Sequence, residues 1–303
     1  MSRTISASMK QRFGVERVCR AWGVGRASVY RHRQDGGEAA TPAPGKRGPK
    51  TATDDAGLLA AIQADLAESP FRGEGHRKVH ARLRRRSGIM VARKRVLRIM
   101  RENNLLSPSR VPKAPVNDHD GRITTDAPND TWATDAAKVQ TADDGWVWLF
   151  VAVEHWNGEC VGWHVSKNGD RHAALEPLRM AVQDQFGAID RDAARGLTLR
   201  CDNGSQYLAG EFREQMHHWG VALSYGFVRQ PQTNGVAERF IRTLKEQAVH
   251  GCVFRTVEDV RNALDAFVQT YNAAWRLEKL AYQTPWEARA AWNDQPSPAR
   301  EAA

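Results

Sequence analysis

Apolar positions along this chain follow two different periods. Leu58, Leu59, Ile62 and Leu66 recur at helical spacing, and so do Val260, Leu264, Phe267, Val268 and Tyr271. Between these stretches lie three runs rich in Val, Trp and Phe: TWATDAAKV, GWVWLFVAVEHW and CVGWHVS. Such runs predict strands, and their short connections favour antiparallel pairing. A helix near 171–186, a strand GLTLRC, a helix near 209–219, a strand VALSY and a helix at 235–249 follow. Strands first, then helices alternating with strands, predict a three-layer α/β domain over 128–250. The tail, 251–303, reads as helical, with its Val260–Tyr271 stripe as core and its last residues frayed.

The front of the chain is helical. Residues 14–33, GVERVCRAWGVGRASVYRHR, predict a small helix-turn-helix within 1–34. Val18, Cys19 and Trp22 form one apolar face, Gly23 supplies the turn, and Val24 and Val29 pack the second helix. That leaves Arg26, Ser28, Arg31 and Arg33 facing outward as candidate DNA contacts. Residues 35–54, rich in Gly, Pro, Ala and Thr, read as a linker. A second helical unit fills 55–106, with a turn at Ser69–Gly73 and helices near 76–86 and 92–104. Its stretch 82–101 carries nine Lys or Arg and no acid. There Arg84, Arg85, Arg93, Lys94 and Arg98 are candidate DNA contacts. His76 and His80 stand at i, i+4, but no second ligand pair follows, so they read as helix surface. A second linker spans 107–127.

Charge sharpens this division. Residues 1–113 hold 25 basic and 9 acidic side chains, a net of +16, whereas 114–303 hold 19 and 26, a net of −7. A basic front and an acidic back imply a polyanion-binding part joined to a part with another task. No apolar run approaches the ~18 residues of a membrane span, and the N-terminus lacks the apolar core of a secretory signal. The four cysteines, Cys19, Cys160, Cys201 and Cys252, form no CxxC pair. They favour a reducing compartment over a disulfide scaffold.

Three acids stand out by position. Asp135 lies within the first strand run, Asp202 ends GLTLRC, and Glu238 sits in the first turns of the helix opening at NGVAERF. Each alone has an ordinary reading: a local hydrogen-bond acceptor, a turn former, an i, i+4 partner of Arg242. Together at one sheet edge they would repel one another unless cations neutralised them. Hard oxygen ligands suit Mg²⁺ or Mn²⁺, and two such ions about 3.5–4 Å apart serve phosphodiester displacement. On the same helix Arg242 and Lys245 follow Glu238 at i+4 and i+7 and are candidate contacts to the DNA backbone. Val236, Phe240, Leu244 and Ala248 form the apolar stripe.

This combination resembles the DDE transposase and retroviral-integrase superfamily. Asp135, Asp202 and Glu238 match its acid triad, and 35 residues separate the last two, as in the integrase-like branch. TWATDAAKV, CDNGSQY and QPQTNGVAERFIRTLKE resemble the motifs around each acid. Segment 72–106 is similar to the second helix-turn-helix of the OrfB-type transposases of IS-three-like bacterial insertion sequences, and YNAAWRLEKLAYQTPWEA to their C-terminal segment. Arg200-Cys201 departs from the His-containing pair common before the second acid. Glu154-His155-Trp156 replaces an Asp followed by hydroxylic and basic residues. No His-His-Cys-Cys zinc unit precedes the region, unlike retroviral integrases.

The resemblance implies an RNase H-like catalytic core, a mixed five-stranded sheet flanked by helices, preceded by helix-turn-helix DNA-binding domains. It implies a transposase that binds the terminal inverted repeats of an insertion sequence, cuts DNA and transfers strands. Two Mg²⁺ or Mn²⁺ ions would be held by Asp135, Asp202 and Glu238. The implied partners are double-stranded terminal and target DNA, a second copy of the chain, and the product of an upstream reading frame. The implied location is the bacterial cytoplasm, on the nucleoid. The rival readings are an RNase H-like nuclease that only hydrolyses and a DNA-binding regulator with an inert α/β domain.

Overall fold

The computed structural model describes residues 4–34, 52–107, 125–226 and 234–295. Most of both linker segments and the polar loop before Glu238 lie outside these. The chain divides into two compact units, 1–52 and 53–303.

In the first unit, helices α1 (Val15–Ala21) and α2 (Arg26–Gln34) flank a turn in which Gly23 adopts φ +62°. The expected core is only partly formed. Cys19 is buried, but Trp22 is 68% and Val24 44% exposed. Helices of seven and nine residues enclose too little volume to cover a tryptophan.

The second unit opens with three helices, α3 (Asp55–Glu68), α4 (His76–Arg86) and α5 (Arg93–Glu102). Asp54 caps α3 by accepting from the Gly57 N–H at 2.7 Å. Leu58, Ile62, Val79, Leu83, Val96, Ile99 and Met100 form a closed core. Arg82, from the most basic stretch of the chain, lies inside this unit rather than in solvent. Its guanidinium donates to Asp65 at 2.7 and 2.9 Å and to Glu74 at 2.5 Å, all three side chains being buried.

Five strands follow: β1 (Thr131–Thr141), β2 (Gly145–Glu154), β3 (Cys160–Ser166), β4 (Thr198–Cys201) and β5 (Ala222–Tyr225). Their spatial order is β3-β2-β1-β4-β5, antiparallel on the first side and parallel on the second. The sheet is therefore the expected mixed, five-stranded one. The period-2 rule divides β2 between two cores. Val147, Leu149, Val151 and Val153 face one side, with Phe240, Leu244, Phe267 and Tyr271. Phe150 and Ala152 face the other, with Trp132, Leu178, Leu199, Phe212 and Trp219.

Helices α6 (Arg171–Phe186), α7 (Ser205–Leu208) and α8 (Gly210–His218) belong to the second face. Helices α9 (Gly235–Leu244), α10 (Val257–Ala274) and α11 (Pro285–Asn293) follow β5. Residues Lys245–Val249 extend α9 as a single π-helical turn. Capping boxes Thr256/Asp259 and Thr284/Glu287 start α10 and α11. Gly162 lets α6 press on β3, since a Cβ there would stand 1.9 Å from the Pro177 carbonyl oxygen. Among the described residues no helix is long and apolar enough to cross a membrane.

The turn after β2 carries two buried ionisable groups. Glu154 accepts from the Asn129 N–H at 2.7 Å, the Trp156 N–H at 3.1 Å and the Trp132 indole at 3.1 Å, with Arg289 at 3.6 Å. It braces the sheet to α11. His155 is buried beside it, and burial, then the nearby charges of Lys279 and Arg200, push its pKa down to about 4.

Two expected outcomes follow for stability. Arg82→Ala should cost about 3–5 kcal/mol, because it leaves two buried carboxylates without a cation. Urea denaturation checks this, and a loss below about 1 kcal/mol would mean that solvent reaches the site. His155 is neutral in the native state and charged in the unfolded chain below its ordinary pKa of 6.5. Its contribution is thus present above that pH and falls by on the order of 3 kcal/mol as pH drops toward 4. Wild type should lose more stability than His155→Gln between pH 7 and 4; parallel profiles would contradict a buried neutral imidazole.

Candidate active site

The first acid sits on a strand built to leave it room. Asp135 projects from the middle of β1, opposite Val151, on the face shared with Ala137 and Val139. Its flanking residues Ala133, Ala136 and Ala137 are all small. The carboxylate is half-buried and accepts from the Ala136 N–H at 2.8 Å.

The second acid stands where the adjoining parallel strand stops. Asp202 follows β4, and its exposed carboxylate accepts from the Gly204 N–H at 2.9 Å, an Asx turn that bends the chain away. Asn203 donates to the Gly226 carbonyl at 2.9 Å, tying the end of β4 to the end of β5.

The third acid arrives on α9. Its first turn is fixed by Asn234, a buried residue whose amide donates to the Thr134 carbonyl at 2.8 Å. The carbonyl belongs to the residue before Asp135, so one side-chain bond pins the start of the helix to the strand beside the first acid. Glu238 follows one turn later, half-buried. Asn234 was not singled out in the sequence, although it lies within NGVAERF. An asparagine before a helix reads as an ordinary cap, and here it makes no capping bond.

The electrostatics register this convergence. Burial first, then the charges of Asp202 and Glu238, push Asp135 up to about 6, against the Ala136 N–H and the Lys245 ammonium, which pull it down. Asp135 therefore feels both other carboxylates. Among the described residues no three acidic, imidazole or thiol groups are drawn together into a finished cation cage. The donor set nevertheless fits a hard divalent cation. It consists of carboxylate oxygens, one of them desolvated and repelled by its neighbours, which a cation would relieve.

The basic candidates are placed as follows. Lys245 acts electrostatically on Asp135 and so lies on the acid side of its helix. Arg242 is half-buried, its Nε has no partner among the described residues, and no ion pair joins it to Glu238. Arg84, Arg93 and Lys94 are exposed and form no ion pair among the described residues. Arg85 donates to the Ala281 and Tyr282 carbonyls, and Arg98 pairs with Asp55 and Glu102, so both are held within the fold. In the first unit Ser28 and Arg31 are exposed, Arg26 pairs with Glu16 at 3.1 Å, and the Arg33 side chain lies outside the described residues. His80 Nε2 lies 3.0 Å from the Val91 carbonyl, to which it donates in the tautomer protonated there, so this nitrogen serves the fold.

Known proteins resemble this chain along most of its length. Two models of the integrase core domain match residues 125–231 and 219–285, and a model of an HTH-like domain matches 54–113. The transposase InsD for insertion element IS2A/D/F/H/I/K of Escherichia coli is 29% identical over 246 residues, covering 78% of this chain and 79% of that protein. The InsD protein of element IS2-9 from strain K12 is also 29% identical, over 78% of this chain and 77% of its own. Among solved structures, the catalytic core domain of BIV integrase matches with TM-score 0.40 and 22% identity, over 55% of this chain and 96% of that one. The HTLV-2 integrase catalytic core domain in complex with magnesium matches with TM-score 0.40 and 20% identity, over 53% and 96%. The chain therefore carries an integrase core domain with an HTH-like domain before it, and along most of its length it is similar to insertion-element transposases.

Proposed function

We propose that Asp135, Asp202 and Glu238 are the catalytic carboxylates of this transposase and together hold two divalent ions, Mg²⁺ or Mn²⁺. The observation that carries the reading is the Asn234–Thr134 bond, which brings the Glu238 helix to the Asp135 strand, where Asp135 feels both other acids. Divalent ions bound there supply activation of an attacking oxygen and stabilisation of a departing one. The protein's own part is to hold three oxygen donors at one sheet edge. Lys245, beside Asp135, provides a fixed positive charge for the DNA backbone, and Arg242 joins it from the same helix. Water is the attacking group in cleavage and a DNA 3′-OH in strand transfer.

The basic side chains of the two helical modules bind the element's terminal inverted repeats. Arg84, Arg93 and Lys94 on α4 and α5, and Ser28 and Arg31 on the first unit, are open for this, whereas Arg26 would first exchange Glu16 for phosphate. A second copy of the chain on the paired DNA ends, the product of an upstream reading frame and a nucleoid location complete the proposal. The hydrolysis-only reading predicts cut ends with no joined product, so a strand-transfer assay separates the two.

Glu238→Gln should lower cleavage and joining by about 10³-fold or more, the several kcal/mol that a lost metal ligand represents. Affinity for terminal DNA should stay near wild type, because the binding modules are intact. Ca²⁺ should support assembly with little product, its coordination being longer and looser than that of Mg²⁺. Near-normal joining by Glu238→Gln, or full activity in EDTA, would refute the assignment.

A second outcome concerns the pin. Asn234→Ala should reduce joining by about 10–100-fold, as loss of an outer-shell support does, and raise the Mg²⁺ concentration needed for half-maximal rate. An unchanged Mg²⁺ requirement would show that Asn234 does not position Glu238.

A further inference from the structure

The helix-turn-helix module α3–α5 is fastened to the catalytic domain at three places. At the first, the Gln247 side chain makes a two-point bond to one residue of the turn between α3 and α4. The Arg72 N–H donates to Gln247 Oε1 at 2.9 Å, and Gln247 Nε2 donates to the Arg72 carbonyl at 3.0 Å. The neighbouring Phe71 is buried in the catalytic core, edge-on to Trp275 at 4.8 Å between ring centroids. At the second, Lys78 lies over the same Trp275 ring and Arg77 pairs with Glu278 at 2.7 Å. At the third, Arg85 donates to the Ala281 and Tyr282 carbonyls at 2.8 and 3.2 Å. Those two residues take left-handed backbone, φ +49° and +64°, a conformation that costs energy without such support.

Gln247 has a special place among these contacts. It lies in the π-helical turn Lys245–Val249, which continues the helix carrying Glu238 without a break. A π turn closes i→i+5 hydrogen bonds, departs from helical phase and recurs at functional sites. The module also leaves Arg84, Arg86, Arg93, Lys94 and Arg101 exposed and without ion pairs among the described residues. One rigid path therefore runs from an unpaired basic surface, through Arg72 and Gln247, into α9.

We propose that Gln247 is a positioning residue that makes the helix-turn-helix and the Glu238 helix one rigid body, so that the lock fixes which phosphodiester is cut relative to the base pairs recognised. The proposal rests on the reading that Glu238 acts at the scissile phosphate and that α4 and α5 meet the terminal DNA. Both bonds from Gln247 go to backbone atoms, so the lock is independent of the side chain at 72. Loosening it leaves the basic surface and the acids intact but frees the distance between them.

The test uses the full-length chain and a labelled duplex taken from the DNA that flanks its coding region. Gln247→Ala removes both bonds, and Gln247→Glu keeps the acceptor for the Arg72 N–H. Wild type should cut at one position. Gln247→Ala should bind the duplex within about twofold of wild type. At saturating DNA its cleavage rate should fall about 10–100-fold, the penalty of a misplacement near 1 Å, and its cuts should spread to neighbouring phosphodiesters. Gln247→Glu should fall between the two. A lower melting temperature with cuts still at one position and at wild-type rate would mean that the bond only stabilises the fold, and would overturn the proposal. A second readout needs no chemistry. In the absence of divalent ions, adding the duplex should slow amide hydrogen exchange over 240–250 in wild type and not in Gln247→Ala; equal protection in both would overturn it as well. Loss of cleavage by wild type with this exchange coupling intact would instead count against the catalytic reading alone.

Discussion

A single side-chain amide joins the two elements that carry the first and third acids. Asn234 reaches from the start of α9 to the Thr134 carbonyl in β1. With that bond, an acid on a helix is brought to an acid on a strand, against their mutual repulsion. That repulsion is visible in Asp135, which is held up to about 6 in part by its two neighbours. The fold thus holds Asp135 close to charges that a solvated carboxylate would avoid. Burial of the apolar stripe Phe240, Ile241 and Leu244 supplies the energy that holds the helix down.

Much of this was legible in the chain itself. The Val- and Trp-rich runs became β1, β2 and β3, and the stripe from Val260 to Tyr271 is buried as its spacing requires. The three acids fall on the elements expected of them, because strand period and helix start signals are local. What stayed hidden is what depends on distant partners. Arg82 sits among nine basic residues in sequence, and only Asp65 and Glu74 make it an interior residue. Arg85 and Arg98 look identical to Arg84 in the sequence, yet they are occupied by carbonyls and carboxylates from elsewhere. Trp22 looked like core and is exposed, since pattern does not report whether a unit is large enough to close. The π turn at 245–249 has no sequence signature, and Gln247 is a plain polar residue until Arg72 stands opposite it.

The segregation of charge along the chain takes on a more specific meaning in the fold. Part of the basic excess of the helix-turn-helix serves its own cohesion and its attachment: Arg82 inward, Arg77 and Arg85 toward the residues before α11. Glu154 is likewise committed to structure, with two backbone N–H groups, an indole and Arg289 around it. Ionisable residues here divide between those that hold the framework and those left open to a polyanion or a cation. Burial and hydrogen-bond count, rather than residue type, separate the two groups.

The attachment of the helix-turn-helix also orders events in time. Its own core closes within residues 58–100, so it is complete early as the chain leaves the ribosome. Its partners come much later: Gln247 lies 175 positions beyond Arg72, and Tyr282 lies 197 beyond Arg85. Contacts so remote in sequence form late and slowly. At a synthesis rate of about 5–20 residues per second, the module waits some ten seconds or more as a folded but unanchored domain. A nascent chain can therefore present its basic helices while the segment around Gln247 is still being made, and the bonds between Arg72 and Gln247 form only on completion.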